Sequence, residues 1–417
     1  MWLKKNGLQK VLNDIELPIV SIIEEAQNTG VLVDIPYLKK LSEEYHKKLT
    51  SLENKIWKLA GGEFNINSPK QMGEILFDKM GLSTKGLKKT AGGSRSTRES
   101  ELVKLKGEHE IIEHILAYRE LQKLLSTYID NIPEMVGKDG RLHTTLNQTG
   151  TTTGRMSSVN PNMQNIPARN GLGEAIRSAF VAEKGHSFVA FDYSQIEMRI
   201  LAVLAKDEKL INVFKEGKDV HSSVASFVFG VPEDKVTKDM RRKAKVINFG
   251  IIYGMGVNSL KANLGGTRRE AQEFYDNYFK AFPKIAAYFD GVKKSANKKG
   301  FTETIFGRRR YFKGITSSIP YIRSMAERMA INAPVQGSAA DIIKIAMKKA
   351  DDRLKTEGLK DKAHLLLQIH DELIYEVEDE AVPKVKKIIK EAMEHFPDIE
   401  LPLTVNVTSG KRWGDMK

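Results

Sequence analysis

Residues 188–197 read Phe188-Val189-Ala190-Phe191-Asp192-Tyr193-Ser194-Gln195-Ile196-Glu197. An apolar run stops on a carboxylate, and helical periodicity follows at once. The pattern predicts a buried strand over 187–192 and a helix over 195–216. Ser194, followed three residues later by Glu197, has the spacing of a capping box that would start the helix. Asp192 is then expected at a strand end beside a helix N-terminus. Taken alone, the stretch also has an ordinary reading, in which Asp192 is a second cap and Glu197 only a box partner.

A second junction of this kind lies far along the chain. Apolar segments 364–369 and 373–377 meet at Ile369-His370-Asp371-Glu372. A plain hairpin with a polar tip is the alternative. If the two junctions belong to neighbouring strands, Asp192 and Asp371 converge. Adjacent buried carboxylates repel, so one must be protonated or a cation must bind. Hard oxygen donors suit Mg²⁺, which keeps waters and takes further oxygens from a substrate phosphate. Two such ions about 4 Å apart can activate an attacking hydroxyl and stabilise a leaving phosphate.

Between these junctions runs Met240-Arg241-Arg242-Lys243-Ala244-Lys245-Val246-Ile247-Asn248-Phe249-Gly250-Ile251-Ile252-Tyr253-Gly254. Arg241, Lys245, Phe249 and Tyr253 are four apart, and each step of four turns a helix by about 400°, so they trace one stripe roughly 18 Å long. Its first half is cationic and its second aromatic, the order of charge and stacking surface in a nucleoside triphosphate. A basic amphipathic helix with core aromatics is the alternative. Residues 153–167, Thr-Gly-Arg-Met-Ser-Ser-Val-Asn-Pro-Asn-Met-Gln-Asn-Ile-Pro, are dense in small amide and hydroxyl side chains suited to grooves and phosphates, or to an ordinary polar loop.

Around these motifs, residues 1 to about 130 read as helical, with Leu38, Leu41, Tyr45 and Leu49 on one face and Ser68-Pro69 opening a helix. Lys85–Ser100 reads as a mobile loop. Residues 141–149 and 401–407 look like strands. Helical patterns fill about 219–300, with breaks at Gly254, Gly256, Gly265-Gly266 and Pro283, and return from about Tyr321 to Lys355. Helices flanking a sheet of sequence-distant strands make an α+β pattern.

Composition narrows the function. The 417 residues carry 66 Lys plus Arg against 53 Asp plus Glu, a net +13 that suits a polyanionic partner. With no Cys there is neither a disulfide nor a thiolate site. No apolar run is long enough to span a membrane, and the charged N-terminus holds no signal-peptide core, so a cytoplasmic protein is expected. There is no P-loop and no G-x-S-x-G elbow. In His109-Glu110-Ile111-Ile112-Glu113-His114 the second His falls one residue too late for a zinc-protease helix.

The four motifs, in this order, resemble the family A DNA polymerases, the DNA polymerase I type. DYSQIEMR (192–199) and IHDE (369–372) are similar to the family's palm motifs, RRKAKVINFGIIYG (241–254) to its nucleotide-binding finger helix, and TGRMSS with PNMQNIP (153–167) to its primer–template segment. FNINSPKQMGEILF (64–77), RELQKLLSTYID (119–130) and AERMAINAPVQGSAADIIK (326–344) extend the resemblance over nearly the whole chain.

The resemblance implies a right-hand fold: an N-terminal segment over 1–34, a helical thumb over 35–130, an antiparallel-sheet palm over 131–199 and 357–417, and helical fingers over 200–356. It implies DNA-templated DNA synthesis, adding deoxynucleoside triphosphates to a primer 3′-OH by two-metal phosphoryl transfer with release of pyrophosphate. Asp192, Asp371 and the Tyr193 carbonyl would hold two Mg²⁺, with Mn²⁺ as a substitute, and Glu372 beside them. Arg241, Lys245 and His221 would grip the triphosphate, and Lys245 would protonate the leaving group. Phe249 and Tyr253 would flank sugar and base, with Gln195 close by. Glu197 would crowd a 2′-OH. Arg155, Asn162, Gln164, Arg169, Arg328, Asn332, Gln336 and His370 would contact primer and template, and Gly307–Arg310 would add phosphate contacts. A monomer without proofreading is expected, since the thumb would begin near residue 35. An RNA polymerase of the same superfamily is disfavoured by Glu197, and a reverse transcriptase by the lack of Tyr-x-Asp-Asp. A DNA-binding protein without catalysis is the rival of another class.

Overall fold

The computed structural model describes residues 2–90, 92–167 and 171–416. Its centre is a four-stranded antiparallel sheet of β1 (His186–Tyr193), β2 (Ala363–Ile369), β3 (Glu372–Glu378) and β4 (Val405–Gly410), in the spatial order β4-β1-β3-β2. Side chains of a strand alternate between faces. Val189, Phe191 and Tyr193 of β1 enter one core, while Phe188 and Ala190 enter another on the opposite face. Burial on both faces explains why β1 is continuously apolar until Asp192. The α+β class is what the chain adopts.

Helices cover this sheet. Helix α1 (Ile35–Ala60) starts where the Asp34 carboxylate accepts from the Tyr37 N–H at 3.0 Å. Leu38, Leu41 and Tyr45 lie buried on its core face. Helix α2 (Glu110–Leu124) packs along α1, and around them Ile56, Met72, Leu76, Leu102, Ile111 and Ile115 form a core of their own. His109 is the N-cap of α2, its ring accepting from the Ile111 N–H. Ser68 caps the short helix Pro69–Gly73 as expected. The stretch expected as a mobile loop is tied down at its described residues: the Thr90 N–H donates to the Ser94 carbonyl at 2.7 Å, the Glu101 carboxylate accepts from the Lys88 N–H, and a short helix, Glu99–Leu102, already begins at its end.

Beyond β1 follow α3 (Ile196–Ala205), α4 (Val220–Phe229), α5 (Lys238–Ile252), the long α6 (Pro320–Thr356) and α7 (Val382–Glu394), with three further helices between α5 and α6. The segment expected as one helix over 195–216 is two. Lys206 turns left-handed (φ +50°), and Asp207 caps a new helix, Glu208–Lys215, by accepting from the Leu210 N–H. The expected capping box is also absent. Gln195 is the N-cap of α3, at φ +55° with no side-chain cap bond, and Glu197 is bonded elsewhere. Residues 141–149 form two short strands with different partners, Arg141–Leu142 against Val31–Leu32 and Thr145–Asn147 against Ser157–Val159. The strand expected at 401–407 begins only at Val405, because Leu401 and Leu403 are buried without joining the ladder.

A buried ion cluster ties four distant segments together. Glu16 bonds Lys344 at 2.7 Å, Arg308 and the Gln148 side chain, while Arg308 Nε donates to Asp341 at 2.7 Å. Lys344 and Asp341 are fully buried.

Candidate active site

The sheet topology makes β1 and β3 neighbours, with Asp192 in register opposite Glu372. Asp371 and His370 form the tight turn between β2 and β3, and the Asp371 carbonyl accepts from the Tyr193 N–H at 3.2 Å. The two expected carboxylates therefore meet at one sheet end. Asp192, Tyr193 and Asp371 line a single cavity of ≈ 590 Å³. Gln195, Glu197, Arg155 and His370 line it from the side of the sheet, and His221, Lys245, Phe249 and Tyr253 from α4 and the α5 stripe. Gln195 and His370 are non-glycine residues in the left-handed region, at φ +55° and +52°. Such backbones cost on the order of 1 kcal/mol or more and cluster at functional sites.

Acids gather at the cavity, with Glu197 buried, Asp371 and Glu372 half-buried and Asp192 exposed. Glu197 is buried, its Oε1 accepting from Arg155 Nη2 at 2.6 Å and its Oε2 from the Tyr253 hydroxyl at 3.0 Å. Burial still pushes its carboxyl up, against the pull of Arg155. The Asp371 carboxyl is also raised by burial, with Arg155 Nη2 4.0 Å away as a partial counter-charge. Burial, and then the charge of Asp192, pushes Glu372 up to about 7. Glu372 stands beside the cavity without lining it.

The stripe on α5 faces this cleft. Phe249 is 38% exposed and Tyr253 48%, so neither is a core aromatic. Lys245 lines the cavity, whereas Arg241 is held by Asp219. His221 is buried, and that burial, opposed by the charge of Asp219 and aided by the cations Arg241 and Lys245, takes its imidazole down to about 4. Asn248 Nδ2 lies 3.0 Å from His221 Nδ1, an assignment that puts the ring proton on Nε2. Asn248 and Asp219 are the residues sequence reasoning missed. Asn248 sits inside the quoted helix motif without a role of its own and Asp219 lies in no motif, so only their partners mark them.

The expected DNA contacts are spread more widely. Arg328 and Gly254 line an adjoining cavity, with a Cβ on Gly254 only 3.0 Å from Arg328 Cβ. Asn332 donates to the Ile252 carbonyl at 3.2 Å, and Gln336 is half-buried one turn on. Gln164 donates to the Gln368 carbonyl at 3.1 Å, and Asn162 caps the turn over 163–165. Arg169 lies outside the described residues. Arg308, expected at a phosphate, is instead committed to Asp341 and Glu16.

Among the described residues, no group of three or more His, Asp or Glu side chains is arranged to hold a metal by itself. Asp192, Asp371 and the Tyr193 carbonyl could hold a hard divalent ion whose remaining ligands are water and substrate oxygens, the mode usual for Mg²⁺.

The family model for DNA polymerase family A matches residues 35–415. The chain belongs to DNA polymerase family A. It is 46% identical to the thermostable DNA polymerase I of Thermus filiformis over 97% of this chain and 48% of that protein. It is equally similar to DNA polymerase I of Geobacillus stearothermophilus, 46% identical over 100% of this chain and 47% of that protein. The chain thus spans about half the length of the curated relatives it matches. A solved structure, the POL domain of Pol1 from M. smegmatis in complex with DNA primer-template and dNTP, superposes with a TM-score of 0.93 at 39% identity, covering 99% of this chain and 72% of that one. The right-hand fold expected of family A is the fold of this chain. None of its described helices is long and apolar enough to cross a membrane.

Proposed function

We propose that the chain is a DNA-templated DNA polymerase, extending a primer 3′-OH with deoxynucleoside triphosphates and releasing pyrophosphate. The observation that carries this reading is the convergence of Asp192 and Asp371, from separate strand ends, on the cavity that the Lys245–Phe249–Tyr253 stripe faces. The subdomains follow the helical core over 35–130 as thumb, the sheet segments 131–199 and 357–417 as palm, and 200–356 as fingers.

The donor set fits a hard cation. Asp371 and Glu372 have carboxyls raised by burial with too little counter-charge, a deficit that a divalent ion would relieve. Bound at Asp192, Asp371 and the Tyr193 carbonyl, Mg²⁺ would supply Lewis acidity toward the attacking hydroxyl and the phosphate oxygens.

The chain's own groups do the rest. Lys245 offers a cation, and a proton, to the leaving pyrophosphate. His221, neutral and carrying its proton on Nε2, donates to a phosphate oxygen while Asn248 fixes the ring. The exposed Phe249 ring gives sugar and base an apolar wall, with Tyr253 at the templating side. Glu197, held by Arg155 and Tyr253, occupies the space a 2′-OH would need. Asn162, Gln164, Arg328, Asn332, Gln336 and His370 surround the path for primer and template. Positioning and electrostatics, rather than covalent chemistry, carry the rate.

Incubation with a primed template, Mg²⁺ and four deoxynucleotides tests the reading. Template-directed extension is expected, and ribonucleotides should extend poorly. Efficient ribonucleotide synthesis would turn the reading into an RNA polymerase. Binding to the template without extension would leave a DNA-binding protein.

A further inference from the structure

Arg241 and Lys245 stand one turn apart on α5, yet only Lys245 lines the cavity. The Arg241 guanidinium is occupied by Asp219, which accepts from Nε at 3.0 Å and from Nη2 at 2.8 Å. This is the planar fork that a phosphate would otherwise take. Asp219 is itself fixed in place. It is the N-cap of α4, and its Oδ1 also accepts from the Ser222 N–H at 2.7 Å. Partial burial works against its charge, but the bonds from Arg241 and Ser222 hold its carboxyl down at about 2, so it stays ionised. Both side chains are close to half exposed, so the pair is weak enough to exchange.

We propose that Asp219 is a resident competitor for the nucleotide's phosphates. It holds Arg241 away from the cavity, and a triphosphate engages the guanidinium only by taking it from this carboxylate. The inference rests on the reading of Arg241 as a triphosphate ligand and adds a specificity element to it. Exchange favours ligands with enough negative charge to replace a carboxylate, a triphosphate over a monophosphate.

Asp219→Asn is the informative substitution, because Asn caps a helix as well as Asp does and removes only the charge. The probe is inorganic triphosphate, titrated into the full chain by calorimetry without DNA or metal. D219N should bind it about two- to fivefold more tightly than the parent, the net worth of an exposed ion pair. The double variant D219N/R241Q should lose that gain and bind no better than R241Q. Unchanged or weaker binding by D219N would overturn the proposal, making Asp219 a support that positions Arg241. A gain that persists in the double variant would overturn it too, since the effect would then be a general field. Failure of the polymerase reading is seen separately, as a parent chain that binds triphosphate but extends no primer.

Discussion

At the scale of single residues, Glu197 and His221 expose the account to test. Glu197 is the shared acceptor of Arg155 and Tyr253. Glu197→Ala should raise ribonucleotide incorporation by about tenfold or more, the order expected when one group is cleared from a tight pocket. Extension assays with ribonucleotides measure it, and unchanged selectivity would leave Glu197 only its structural bonds. His221 titrates at about 4 when folded against an ordinary 6.5, so the neutral ring is the folded form. Its stabilising contribution is complete above pH 6.5 and disappears as pH falls through 4. His221→Gln should therefore reduce the loss of unfolding free energy between pH 7 and 4 by about 3 kcal/mol, read from denaturant titrations at both pH values. Asp192 and Asp371 were legible in the sequence because a carboxylate closing an apolar strand interrupts the burial pattern. Asn248 was not. It looks like any polar residue on an amphipathic helix until His221 is placed 3.0 Å away.

Elements differ in how plainly their sequences announce them. The long helix expected over 321–355 spans Pro320–Thr356, since periodicity over so many residues leaves no competing reading. The same reasoning fails over 195–216. Periodicity continued across Lys206 and Asp207, although Asp207 carries the signature of an N-cap. The Ser194–Glu197 spacing misleads because two partners distant in sequence, Arg155 and Tyr253, outcompete the local cap for the buried carboxylate. The ion cluster joining Glu16, Arg308, Asp341 and Lys344 was invisible, because its members are as far apart as 16 and 344. Glu16→Gln should destabilise the chain by about 3–5 kcal/mol, as expected when a buried cation loses its partner. Chemical denaturation measures this, and a loss under about 1 kcal/mol would mean that water already screens the cluster.

For the molecule as a whole, order of motifs was the strongest sequence signal. Strand-end acid, cationic–aromatic helix and acidic turn are separate in sequence, and the antiparallel pairing of β1 with β3 gathers them at one sheet end. No local pattern encodes that pairing; the resemblance to family A did. The net +13 belongs to this scale as well. Affinity for primer–template DNA should fall linearly with salt on logarithmic axes, and Arg328→Ala should lessen the slope by about 1 if Arg328 meets a phosphate. An unaltered slope would remove Arg328 from the DNA path. The central claim, that Asp192 and Asp371 together organise phosphoryl transfer, is tested most directly by comparing Asp371→Ala with the parent chain in Mg²⁺-dependent primer extension, with DNA binding measured on the same samples. The account predicts extension by the parent, a loss of about a thousandfold or more in the variant, and nearly equal DNA affinity. Extension by the variant at a rate near that of the parent would contradict it.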